Sequence, residues 1–177
     1  MKKIFALLAL LPAVLLMFGI GNLLAAEKDD VPQKVTAPKA VMEAFQKAYP
    51  KGEVKSVGME TKDGKDYYEI ESIDGKTERD ILYNADGAVF EIEESILPET
   101  LPDVIKMSLK KEYPKGEIRE AEKISRGKVV EYETLLENGE ENIEVVLDDS
   151  GKILTRQVVS DDDQVDDEDA GSEVEDD

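Results

Sequence analysis

Two stretches of the chain repeat their apolar residues at helical intervals. Val41, Phe45, Ala48 and Tyr49 follow Pro38, and Ile105, Leu109 and Tyr113 follow Pro102, so each proline opens a helix with one apolar face. Thr100, with Asp103 three residues on, reads as an N-cap and an acidic group near the positive end of the second helix dipole. The pentapeptide YPKGE closes both helices, at residues 49–53 and 113–117. Its proline cannot continue a helix and pushes the preceding tyrosine toward extended geometry, while Gly52 and Gly116 permit the turn into the next element.

Beyond each helix the apolar period shortens to that of strands. KDGK around Gly64, IDGK around Gly75 and NADG at Gly87 separate short strands in the first half, and SRGK, ENGE and DDSG stand in the corresponding places of the second. Asp or Asn before Gly fits hairpin turns with positive φ. The glycine of SRGK is displaced by one position relative to that of KDGK. Alternation puts Tyr68, Ile70, Ile81, Tyr83, Phe90 and Ile92 on one face, with Tyr132, Val145, Leu147, Leu154 and Val158 on the matching face of the second half, beneath the helices. The opposite face takes Lys55, Met59, Tyr67, Glu69, Glu71, Leu82, Glu91 and Glu93, then Glu131, Glu133, Val146 and Ile153.

A shift of 64 positions lays residues 38–96 onto 102–160 without a net gap. Pro38 meets Pro102, Lys47 meets Lys111, Tyr68-Glu69 meets Tyr132-Glu133, and Gly75 and Gly87 meet Gly139 and Gly151. Apolar character persists where identity does not, as at Phe45 with Leu109 and Val54 with Ile118. The expected fold is α+β: two tandem units, 38–96 and 102–160, each one helix packed on a four-stranded antiparallel sheet. The link at 97–101 is short, which lets the two sheets join into a single one of eight strands.

Charge narrows the range of partners. The 177 residues include 22 Lys or Arg and 42 Asp or Glu, a formal charge of -20, which repels phosphates and excludes nucleic acid as the expected ligand. The same field favours cationic proteins or peptides and divalent cations, or else serves only solubility. The chain has no Cys and no His, so thiolate nucleophiles, imidazole proton shuttles, disulfides and the usual zinc ligands are all excluded. Lys2 and Lys3 before an apolar run, then Gly19, Gly21, Ala25 and Ala26, give residues 1–26 the order of a secretory signal, with an uncleaved anchor as the alternative. Residues 27–37 read as a linker. The last 17 residues hold eleven Asp or Glu and no Lys or Arg, so 161–177 reads as a disordered acidic tail.

Reactive groups do not assemble. Glu69 and Glu91 can be drawn as an acid and base, but nothing in the sequence marks the apolar surroundings that would raise one pKa, so the pair reads as a solvated strand face. Ser108 and Lys110 are too close on one helix to face each other as a dyad. LPETL, at 97–101, lacks the glycine and the hydrophobic tail of a sortase signal. Tyr67, Met59, Leu82 and Val89 on the outer face make a candidate docking patch among carboxylates.

With the signal, the doubled unit, Tyr49-Pro50, Tyr113-Pro114, Tyr68, Tyr132, Asp86-Gly87 and Gly151 in view, residues 38–160 resemble the PepSY-like family of secreted bacterial proteins, related in fold to the β-lactamase inhibitor protein. The resemblance implies two helix-plus-four-strand units side by side and no catalytic activity, and no cofactor is expected. It also implies binding or inhibition of other proteins through the exposed sheet face. The absence of Trp and of disulfides departs from the inhibitor and argues against β-lactamase itself as the target. The expected function is therefore that of a secreted or periplasmic, non-enzymatic protein that engages a cationic protein partner, with no role at a membrane once the signal is removed. Its expected partner-binding residues are Met59, Tyr67, Glu69, Leu82, Glu91 and Glu133. The alternative is weak, polyvalent binding or sensing of Ca²⁺ by the acidic face and tail.

Overall fold

The structure, a computed structural model, describes residues 35–159. The expected signal at 1–26, all but the end of the linker after it, and the acidic tail at 161–177 lie outside the described residues. The chain runs from helix α1 (Lys39–Ala48) into strands β1 (Glu53–Lys62), β2 (Lys65–Asp74), β3 (Thr77–Tyr83) and β4 (Val89–Ile96). A 3₁₀ turn (Pro98–Thr100) leads to α2 (Asp103–Glu112), β5 (Glu117–Arg126), β6 (Val129–Asn138), β7 (Glu141–Asp148) and β8 (Ile153–Val159). The eight strands form one antiparallel sheet in chain order, with β1 and β8 at its edges. The fold is α+β.

Both helices cover the same side of this sheet. Val41 and Phe45 of α1 pack on Ile70, Ile81, Tyr83 and Ile92, while Ile105 and Leu109 of α2 pack on Ala121, Leu136, Val145, Leu147 and Ile96. Ile92 and Ile96 are four residues apart on β4 and so share a face. Each fully buried aliphatic or aromatic side chain in these clusters contributes about 1.5–3 kcal/mol relative to exposure.

Local chemistry stops the helices where YPKGE stands. Tyr49 leaves helical geometry at φ -126° and its carbonyl accepts a hydrogen bond from the Gly52 N–H at 3.0 Å; Gly116 donates to Tyr113 at the same distance. Neither glycine has a positive φ. Room is the reason for them instead, because a Cβ at residue 52 would lie 2.9 Å from the Phe45 ring and one at 116 would lie 3.0 Å from the Tyr113 Cβ. The expected Thr100 cap does not form. Pro102 occupies the N-cap of α2 without a side-chain bond, and the Thr100 hydroxyl donates to the Leu97 carbonyl at 2.7 Å within the 3₁₀ turn.

The displaced glycine of the SRGK turn leaves the pairing in phase. Lys62 pairs with Lys65 across Asp63 (φ 54°) and Gly64 (φ 74°), the two positive-φ positions of a type I′ turn. Arg126 pairs with Val129 across Gly127 (φ 59°), where one positive-φ residue in first place makes a type II′ turn. A different turn type thus absorbs the shift.

Four β-bulges interrupt the sheet, at Val54/Ser56, Leu82/Tyr83, Ile118/Glu120 and Val146/Leu147. Each inserts one residue and reverses the parity of the rest of its strand. Expected face assignments fail at these points. Met59 pairs with Tyr68 and shares its helix-side face; Phe90 stacks on Tyr67, on the side away from the helices; Ile153, not Leu154, packs against the α2 cluster. Leu154 and Val158 are exposed on the edge strand.

Candidate functional site

The side of the sheet without helices is lined by carboxylates that share cross-strand rows. Glu71, Asp80, Glu93, Ile124 and Glu131 are successive partners across β2 to β6. Ser95, Glu122, Glu133, Val146 and Thr155 are successive partners across β4 to β8. A third row runs from Glu69 through Leu82 to Glu91. All are out of phase with Ile70, Ile81, Ile92, Ala121 and Val145, which face the helices.

Contacts between distant strands show that this side is concave. Tyr67 of β2 stacks on Phe90 of β4 with ring centroids 4.1 Å apart, although two inter-strand steps span about 10 Å on a flat sheet. Lys62, at the end of β1, reaches across three steps to the Glu91 carboxylate on β4, and Arg126 of β5 takes the other Glu91 oxygen. Lys62 also lies 3.4 Å from both Glu60 and Glu93, and Arg126 lies 3.1 Å from Glu131. Glu91 is completely buried, so its charge depends on a cationic partner. Within the curve Tyr67, Leu82, Ile124 and Val146 are buried as well.

The remaining carboxylates repel one another. Burial, followed by the charges of Glu60, Glu71 and Glu93, pushes Glu69 up to about 7. Asp80 also rises to about 7, through burial and then Glu71, Glu69 and Glu93. Glu122 and Glu133 are pushed up to about 8, each by burial first and then by neighbouring acids: Glu93 and Asp80 for Glu122, Glu144 and Glu122 for Glu133. Burial raises Glu93 and Glu144 too, with Lys62 opposing the rise at Glu93. Among the described residues no Lys or Arg is within ion-pairing distance of Glu69, Asp80, Glu122, Glu133 or Glu144.

Of the six expected binding residues, five lie on this side: Tyr67, Glu69, Leu82, Glu91 and Glu133. Met59 does not, and neither does Val89 of the docking patch, which pairs with Tyr83 on the helix side. The patch therefore divides, with Tyr67 and Leu82 buried in the curve and Met59 and Val89 half-exposed on the opposite surface. The expected solvated strand face is also overturned. Glu91 is sealed between two cations, and burial among other acids raises the pKa of Glu69, against expectation. Glu69 and Glu91 do not meet as an acid and base, since Leu82 stands between them.

Ser108 and Lys110 likewise part company, the first bonding the Gly151 carbonyl and the second that of Pro114 at 2.5 Å. Among the described residues no group of three or more acidic side chains is arranged to hold a metal ion, and no helix is long and apolar enough to cross a membrane. Sequence reasoning missed the anchoring role of Lys62 and Arg126. Their positions, 64 apart at the ends of equivalent hairpins, were the available signal.

Comparisons with known proteins agree with this architecture. The family described as "Putative beta-lactamase-inhibitor-like, PepSY-like" matches over residues 21–91 and 66–155. A search of curated proteins finds no match. Among solved structures, a BLIP-like protein from Bacteroides fragilis is similar at 17% identity over 75% of this chain and 92% of its own, with a TM-score of 0.55. A structure from Bacteroides eggerthii, described as "putative periplasmic proteins", is similar at 13% identity over 70% and 90%, with a TM-score of 0.58. At such identities the two structures speak for the fold alone, while the family match extends over most of the chain. The chain belongs to the PepSY-like, beta-lactamase-inhibitor-like family.

Proposed function

We propose that this protein is a periplasmic or secreted, non-enzymatic binding protein, built as two tandem units, whose concave acidic face takes a lysine- or arginine-bearing segment of a protein partner. The single observation that carries the reading is the band of carboxylates at Asp80, Glu93, Glu122, Glu133 and Glu144, whose pKa values are raised by burial and, for all but Glu144, by neighbouring acids as well. Like charges placed opposite one another weaken a sheet. A face that tolerates them gains when a cation arrives, and the concave shape with buried Leu82, Ile124 and Val146 beneath gives it an apolar floor. The description of the B. fragilis relative as BLIP-like is compatible with a protein-binding role.

The double substitution Glu122→Gln/Glu133→Gln tests this. It preserves shape while removing repulsion, so the melting temperature at pH 8 rises and calorimetric affinity for a hexalysine peptide falls by about tenfold or more. Unchanged affinity in a folded double variant removes the face from consideration. Adding Ca²⁺ to the wild-type protein, and to a chain ending at Ser160, separates peptide binding from cation collection by the tail.

A further inference from the structure

The two cations on Glu91 are not equivalent, although Lys62 and Arg126 stand 64 positions apart at the ends of matching hairpins. Arg126 belongs to a central strand and joins Glu91 to Glu131 on the adjacent β6. Lys62 comes from the edge strand β1 and enters the concavity from outside, to contact Glu60, Glu91 and Glu93. If Lys62 leaves, Glu91 keeps Arg126 on its other oxygen, so the buried charge stays paired. Glu93, by contrast, loses the cation bound to it, as does Glu60. Lys62 is thus dispensable for the buried charge and decisive for the face.

Its surroundings describe a cation seat. The acids in contact with Lys62 are Glu60 from β1 and Glu91 and Glu93 from β4; its charge also acts on Glu69 of β2 and Glu133 of β6, and Lys65 of β2 is its cross-strand partner. The Lys62 side chain is 23% exposed and that of Glu93 beside it 28%, so an incoming cation can approach the pair. The residue after it, Asp63, begins a tight two-residue turn at the open edge of the sheet.

We infer that Lys62 is an internal occupant of the binding face, a resting counter-ion that a partner's lysine or arginine displaces from Glu93 and Glu60. This rests on the binding face proposed above and adds its regulation: affinity is held down by a competitor the protein carries itself, which rejects weakly cationic segments and admits those that offer several charges. Lysine suits the role because its ammonium is a point charge on a flexible stem, whereas the planar fork of arginine holds a fixed geometry.

The test compares wild type with Lys62→Met, Lys62→Arg and, as a control for net charge, Lys39→Met on the exposed surface of α1. Lys62→Met is expected to bind hexalysine about tenfold more tightly than wild type, Lys39→Met no more than about twofold more tightly, and Lys62→Arg, whose fork is harder to displace, more weakly than wild type. Side-chain ¹⁵N spectra of the wild-type protein give a second readout that needs no substitution, and there the Lys62 ammonium signal shifts toward that of an exposed lysine as peptide is added. Equal affinities for Lys62→Met and Lys39→Met, or a Lys62 signal that stays put while peptide binds, overturn the inference and leave the binding face standing. No binding by any of these proteins removes the face and this inference together.

Discussion

At the scale of single residues, Glu91 explains more than any other position. It is a fully buried carboxylate on a face without a helix, and both its oxygens are engaged by cations from strands on either side. Replacing it leaves Lys62 with Glu60 and Glu93 and Arg126 with Glu131, but removes two charge-assisted hydrogen bonds of about 1.5–3 kcal/mol each. Glu91→Gln is therefore expected to lower stability by about 3 kcal/mol in chemical denaturation, well beyond the effect of Lys62→Met, which leaves Arg126 in place. Equal losses for the two would show that the carboxylate is not the hub. Alternation along β4 put Glu91 on the correct face and still misjudged it as solvated. Its partners stand 29 and 35 positions away, and no local pattern shows which long side chains will converge.

At the scale of elements, the turns and helix ends were legible because their codes are local. Proline and glycine in YPKGE locate both helix stops, and the 64-residue offset seen in the letters reappears in the backbone. Gly87 donates to the Asn84 carbonyl and Gly151 to that of Asp148, both at 2.9 Å, and the four bulges fall in two pairs at the same spacing. The bulges themselves were not legible. An extra residue in a strand has no required side chain, so Met59, Phe90 and Ile153 were assigned to the wrong face by unbroken alternation. Glycines at positive φ also differ in what surrounds them. A Cβ at Gly87 would lie 2.6 Å from the Ala40 carbonyl oxygen at the start of α1, whereas one at Gly75 would meet nothing within 4 Å. Gly75→Ala is expected to cost about 1–2 kcal/mol, the penalty of left-handed geometry alone, and Gly87→Ala more than about 3 kcal/mol, because the turn must pull away from the helix. Similar midpoints in urea for the two variants would contradict this docking of turn on helix.

At the scale of the whole molecule, the acidic face couples stability to pH. Carboxyls with ordinary values of 4.5 or 3.8 are raised in the fold to about 7 at Glu69 and Asp80 and to about 8 at Glu122 and Glu133. Between about pH 4 and 8 the folded protein therefore holds protons that the unfolded chain has already released. Their stabilising contribution is complete below the unfolded values and fades as pH climbs through the folded ones, so stability falls as pH rises across this window. Partial exposure of these groups moderates the size of the effect. The melting temperature is expected to drop by more than about 3 °C from pH 5.5 to 8.5, since a loss of about 1 kcal/mol moves it by several degrees in a domain of this size. In Glu122→Gln/Glu133→Gln the slope becomes shallower. A melting temperature that rises over the same interval would mean that the carboxylates are stabilised as ions by the fold, contrary to their crowding.

Binding should run the other way, strengthening as the same groups ionise. The most direct measurement is a methyl NMR titration of the protein with hexalysine at pH 8, because adjacent residues on the strands report opposite sides of the sheet. The predicted result is that Leu82, Ile124 and Val146 shift, while Ile81, Val145 and Ile105 beneath the helices stay in place. Shifts confined to the helix-side methyls, or saturable binding with no movement at Leu82, Ile124 and Val146, would contradict the concave face as the working surface.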